Sequence, residues 1–201
     1  GFAGFIGCVT GMNDKQVAVG EMGMTGYASQ WDGIPMAFML RQLLEECDTL
    51  EQALNLVKRS SRTCEYAYVI SDGKSSSAMA VRAQPDLLEL VAPGQSHPLL
   101  PTPVPDCVLL SSDERYKLLV ERVKKSFGQI DLPTTVEIIK SVAMRSNLHS
   151  AIMLPKDSVM YLANAVARDQ EQFQACYQPY YRYDLKKYLA VLDDLAQKHD
   201  P

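Results

Sequence analysis

The sequence predicts an α+β architecture in which strand pairs, and the sheets they form, are covered by helices. Three observations predict it. Runs with period-two alternation recur in pairs along the chain, and between them stand pairs of helices with apolar stripes at i, i+3, i+4 and i+7. The order hairpin, helix pair, hairpin, helix pair, hairpin, helix does not suit a βαβ doubly wound sheet. With 201 residues the chain is long enough for one substantial core, so residues 1–201 are expected to form a single domain.

The first hairpin is expected from Gly4–Thr10 and Gln16–Glu21, turning through Gly11-Met12-Asn13-Asp14-Lys15. A Gly-rich loop ends at Trp31-Asp32-Gly33, and Pro35 suits the first turn of a helix because its missing N–H would be unpaired there. Met36, Met39, Leu40, Leu43, Leu44 and Cys47 then form a clean apolar stripe. Thr49-x-x-Gln52 reads as a capping box opening a second helix with Leu50, Ala53, Leu54 and Val57 on its face. Strands follow at Cys64–Ser71 and Ser77–Ala83 around the turn Ser71-Asp72-Gly73-Lys74-Ser75, with a third at Leu88–Ala92.

Residues 93–106 carry five prolines and read as an extended surface connection inside the one domain. Ser112 is expected to cap a helix with the stripe Tyr116, Leu119, Val120, Val123 and Phe127. Thr134-x-x-Glu137 is expected to open another, with Val136, Ile139, Val142 and Ala143 inward. A last strand pair, Ser150–Leu154 and Val159–Ala163, turns at Pro155-Lys156-Asp157-Ser158. A helix from about Asp184 closes the chain, with Leu185, Tyr188, Leu189, Leu192 and Leu195 expected inward.

The bulk numbers exclude some classes. With 47% hydrophobic and 22% charged residues, the composition is that of an ordinary folded protein. A net charge of −4, with only Arg122, Lys124 and Lys125 clustered, argues against nucleic acid as the main partner. No apolar run is long enough to span a membrane. The opening Gly1-Phe2-Ala3-Gly4 has neither a basic lead nor an initiator Met, and reads as the middle of a longer chain. His97, His149 and His199 share no helical or hairpin spacing with Cys or carboxylates, so no metal site is expected. Gly20, Gly23 and Gly26 are followed by no Gly-Lys-Ser/Thr, so no phosphate loop is expected.

His149 and Ser150 cannot act as a dyad if both lie in one strand, because successive side chains point to opposite faces. His149 is expected at a strand edge, bonded to backbone. Asn13 and Asn164 each stand at a strand end. There a turn or terminating role suffices, although fixed amide or backbone N–H donors are also what a developing oxyanion needs.

Several segments resemble one family. Phe5-Ile6-Gly7-Cys8-Val9-Thr10-Gly11-Met12-Asn13, Gly33-Ile34-Pro35 leading into Leu40-Arg41-x-x-Leu44-Glu45, and Thr49-Leu50-Glu51-Gln52-Ala53 resemble the linear amide C–N hydrolases. More narrowly they are similar to the C45 peptidase branch, relatives of acyl-coenzyme A:6-aminopenicillanic acid acyltransferase. Tyr68-Val69-Ile70-Ser71-Asp72-Gly73, His149-Ser150-Ala151 and Ala163-Asn164-Ala165 follow in the expected order.

The resemblance implies a four-layer αββα N-terminal-nucleophile (Ntn) hydrolase sandwich whose N-terminal part is missing from this chain. It implies an autocatalytically exposed N-terminal cysteine whose own α-amine, with an ordinary pKa of about 7.7–8.0, accepts the thiol proton. An acyl-enzyme on that cysteine is then resolved by water or an amine. It gives catalytic roles to Asn13, through its backbone N–H, and to Asn164, through its side-chain amide. Arg168 is a further candidate charge near the nucleophile. No cofactor is implied; the implied partners are a small N-acyl amide substrate and the N-terminal segment or chain that carries the nucleophile.

The departures matter too. The family's nucleophile, with an Arg and an Asp shortly after it, is not in this sequence. Cys8 would replace it only if cleavage followed Gly7, and a packing role suffices for that thiol. Where relatives carry a carboxylate after the strand matching Ser77–Val81, this chain has none, and Glu65 is the candidate substitute. The alternative reading is a catalytically inactive Ntn-fold binding or partner subunit.

Overall fold

The computed structural model describes residues 4–24, 28–168 and 171–199; the side chain of Arg168 and several on the last helix lie outside that description. Strands β1 (Thr10–Met12), β2 (Val17–Gly23), β3 (Tyr66–Asp72), β4 (Ser77–Ala83) and β5 (Leu88–Val91) form one antiparallel sheet in sequential order. Directly opposed residues share a face. The register Val19↔Ile70, Ile70↔Met79 and Val81↔Leu90 therefore defines one side of the sheet. Helices α1 (Met36–Glu46) and α2 (Leu50–Arg59) cover that side, burying Val17, Val19, Tyr68, Ile70 and Val81 against Met39, Leu40, Leu43, Leu56 and Val57. Each such aliphatic side chain contributes roughly 1.5–3 kcal/mol when fully buried.

The helix starts follow their sequence signals. Pro35 stands at the N-cap of α1, and the Thr49 hydroxyl accepts the Gln52 N–H at 3.2 Å at the start of α2. At the other end of α2, the almost fully buried Arg62 donates to the carbonyls of Val57 and Ser60 at 2.6 and 3.0 Å, and to that of Gln84 at 2.7 Å. It closes the last turn and ties the helix to the end of β4.

A second core lies between α3 (Asp113–Lys125) and α4 (Leu132–Val142), and here two expectations are corrected. The proline-rich stretch is not wholly a surface connection, because Leu100 and Val104 are buried against Tyr116 and Val120. Segments rich in proline have fewer N–H groups to satisfy, and the Tyr116 hydroxyl donates to the Thr102 carbonyl while accepting its N–H. Helix α4 starts three residues before the expected cap: the Asp131 carboxylate accepts the Thr134 N–H at 2.9 Å, and Ile138, not the expected stripe, is buried.

The remaining strands are β6 (His149–Leu154), β7 (Val159–Asn164), β8 (Val166–Arg168), β9 (Glu171–Phe173) and β10 (Tyr181–Asp184). They form an antiparallel sheet in the order β10-β7-β6 and a separate β8-β9 ribbon. The β6–β7 hairpin meets the first sheet at its turn. The Gln16 amide donates to the Lys156 carbonyl at 2.9 Å, and a Cβ on Gly73 would stand 2.3 Å from the Lys156 nitrogen. Only glycine lets these two backbones approach so closely.

Two more readings are corrected. Of the expected first strand Gly4–Thr10, only Thr10 is in β1; the preceding residues lie on α1, with the Cys8 N–H donated to the Ala37 carbonyl and Gly7 tight against Ala37. The stripe of α5 (Leu185–His199) is only partly inward: Leu185 and Leu189 are half-buried, while Tyr188, Leu192 and Leu195 are 54%, 60% and 48% exposed. An apolar period reports an amphipathic helix and says nothing of what lies on it.

Candidate active site

Asn13 and Asn164 occupy different structural settings. Asn13 follows β1, and all its polar groups are engaged. Its amide Nδ2 donates to the carbonyls of Leu44 and Cys47 at 3.1 and 2.8 Å, two acceptors of the last turn of α1 that no helical N–H reaches. Its Oδ1 accepts the N–H groups of Lys15 and Val17 at 3.1 and 2.9 Å, and its own N–H donates to the Val17 carbonyl at 3.0 Å. The donors that an oxyanion role would need are already committed to the hairpin turn and to the end of α1.

Asn164 ends β7 directly opposite His149 on β6. Its Oδ1 lies 2.9 Å from the imidazole Nδ1. An amide oxygen only accepts, so the ring carries its proton on Nδ1 and turns the Asn164 N–H₂ away from itself. Among the described residues nothing accepts from that N–H₂, and the residue is exposed. His149 thus meets a side chain directly across the hairpin, a partner its register could have revealed once paired. Ser150 points to the other face, as alternation requires: it is buried, with its hydroxyl 2.6 Å from that of Tyr180.

Asn147 braces this end of the hairpin. Its Nδ2 donates to the His149 carbonyl at 2.7 Å, and its Oδ1 accepts the N–H of the fully buried Cys176 at 2.9 Å. Neither Asn147 nor the short turn it holds carried any motif in the sequence.

The topology separates the two asparagines. Asn13 adjoins Gln16, which touches Lys156 in the β6–β7 turn, whereas Asn164 stands at the far end of β7. Five residues of strand rise put roughly 16 Å between the turn and Asn164.

The other candidates fall out as follows. Glu65 is buried and holds Arg82, its Oε1 accepting from Arg82 Nε at 2.8 Å; hydrogen bonds from Gln84 and Arg82 outweigh burial and keep its carboxyl below the ordinary range. It has a structural partner. Burial pushes the thiols of Cys8, Cys47, Cys107 and Cys176 above their ordinary value, which disfavours the thiolate a nucleophile requires. The side chain of Arg168 lies outside the described structure, as do Gly1 and Gly26. Among the described residues no three His, Cys, Asp or Glu side chains group to hold a metal, and no helix is long and apolar enough to cross a membrane.

Comparison with known proteins agrees with the architecture. Residues 1–95 match the family model described as acyl-coenzyme A:6-aminopenicillanic acid acyl-transferase. Protein dcd1A of Dictyostelium discoideum is 24% identical over 173 residues, which are 81% of this chain and 39% of that protein. Protein dcd1B of the same organism is 23% identical over 172 residues, 80% of this chain and 34% of its own length. The chain therefore spans well under half of those relatives. Among solved structures, two variants of the conjugated bile acid hydrolase from Clostridium perfringens superpose with a TM-score of 0.62 at 14% identity, covering 92% of this chain and 75% of that one. At that identity the likeness shows the fold alone: the α+β sandwich of antiparallel sheets and helices expected from the sequence.

Proposed function

We propose, since residues 1–95 belong to the acyl-coenzyme A:6-aminopenicillanic acid acyl-transferase family, that the protein cleaves or transfers the acyl group of a linear amide through an N-terminal cysteine supplied by a segment upstream of Gly1. In this reading residues 1–201 act as one domain, the C-terminal portion of the sandwich. The observation that supports it is the Asn164 amide, held by His149 at the end of β7, with no acceptor for its N–H₂ among the described residues.

The chemistry follows from those parts. The upstream α-amine takes the thiol proton, the thiolate attacks the amide carbonyl, and negative charge gathers on the carbonyl oxygen. A donor fixed in advance stabilises that charge without reorganising, and in this reading the Asn164 amide is one. A second donor comes from the end of β2. Strand β1 reaches only as far as Gly20, so the outer edge of Glu21–Gly23 carries no strand among the described residues and leaves backbone groups and room for the incoming segment. Asn13 is then a positioning residue that holds the start of the same strand. The mechanism asks nothing of a metal or organic cofactor.

Complete alkylation of the N-terminal thiol in the full-length protein is expected to abolish amide turnover, with chelators leaving it unchanged. Undiminished turnover by fully alkylated protein would refute the thiol mechanism.

A further inference from the structure

Helix α5 carries an apolar stripe that the described residues leave exposed. Tyr188, Val191, Leu192 and Leu195 stand at i, i+3, i+4 and i+7, which places them on one face, and all four are exposed. Leu185 and Leu189, on one edge of that stripe, are half-buried. The Tyr183 ring meets that of Tyr188 at 6.3 Å, and the exposed Tyr181 lies two residues earlier on the same side of β10. The apolar surface therefore continues from the helix onto the edge strand, and continuous exposed patches of this kind mark contact sites.

The charges beside the stripe bear on what it meets. Positions seven apart on a helix nearly coincide in direction, since each residue turns the chain by about 100°. Lys187 and Asp194, both exposed, therefore share one edge of the stripe, the edge next to Val191. The opposite edge is formed by Leu185 and Leu189 and carries no charge. Two helices packed antiparallel about a two-fold axis lay like edges side by side, whereas a parallel pair lays unlike edges together. An antiparallel pair of α5 helices thus brings the Tyr188 end of one copy to the Leu195 end of the other, and Lys187 of each copy to Asp194 of its mate. A parallel pair would set both charges against leucine. An anionic lipid surface suits the stripe less well, because Asp194 stands beside it with the same sign as the headgroups.

We propose that α5 is a homodimer interface, in which two copies of this chain pack their stripes antiparallel about a two-fold axis with a Lys187–Asp194 pair at each end. One helix face is small beside the ~800 Å² that each partner of a standard interface buries, so the dimer is weak and concentration-dependent. The helix is anchored at the turn end of β7, where the Leu185 N–H donates to the Ser158 carbonyl at 3.0 Å, and Asn164 stands at the other end of that strand. Dimerisation is thus separate from the chemistry proposed above.

Sedimentation velocity of the full-length protein over a range of concentrations tests this, and a reversible dimer is expected. Leu192→Glu, at an exposed position, is expected to leave a monomer with an unchanged melting temperature and unchanged amide turnover per chain. Lys187→Glu and Asp194→Lys each set like charges against one another at two symmetric places, and each is expected to weaken association by about tenfold. The double variant Lys187→Glu/Asp194→Lys is expected to return the affinity of the parent. A protein that stays monomeric at every concentration overturns the proposal, whether or not it co-sediments with phosphatidylserine vesicles. A dimer indifferent to Leu192→Glu, or a double variant no tighter than either single one, overturns it as well.

Discussion

Asn164→Ala in the full-length protein lowers kcat for amide cleavage by about 10²–10³-fold, the usual loss for one oxyanion donor. The residue is exposed, and its side chain is held among the described residues by the 2.9 Å bond to His149, so the melting temperature moves little. KM changes less than kcat, because the bond forms to charge that develops only in the transition state. His149 is tested as a positioning residue. His149→Ala leaves the donor in place but unoriented, giving a smaller loss, and His149→Gln, which can still donate to Oδ1, restores part of it. Steady-state kinetics beside thermal melts check the set. Full kcat in Asn164→Ala would remove the amide from the mechanism.

Asn13→Ala shows the opposite pattern. The substitution removes four side-chain hydrogen bonds, two to carbonyls that end α1 and two from N–H groups of the turn. At roughly 1 kcal/mol each, and less where water can replace the partner, the loss is about 3 kcal/mol. For a chain of this size that lowers the melting temperature by roughly 6–12 °C. Activity per folded molecule stays within about threefold, since the donors were engaged in structure. Asn13→Asp fails similarly, because a carboxylate cannot donate to the carbonyls of Leu44 and Cys47. A hundredfold loss of kcat at unchanged melting temperature would return Asn13 to the oxyanion site.

What could be read in the sequence were local signals with a fixed chemical meaning. Thr49 and Gln52 define a helix start by reach alone, Pro35 marks another, and the alternation in Ser77–Ala83 gives β4 its full span. What could not be read depended on distant partners. Asn13 and Asn164 look alike as strand-end amides, and only the folded chain shows that one meets the last carbonyls of α1 and the other a histidine across a hairpin. Strands β8 and β9 are three residues each, too short for alternation to register. The Thr134-x-x-Glu137 box lost to Asp131 because a carboxylate one turn earlier, with Pro133 already in place, starts the helix sooner.

The claim beneath these expectations is that Asn164 serves a thiol carried at a freshly exposed N-terminus ahead of Gly1. Mass spectrometry of the mature full-length polypeptide tests it most directly. The account predicts a processed chain that begins with cysteine and continues without interruption into Gly1. A mature chain that begins with any other residue and carries no cysteine-headed fragment would contradict it.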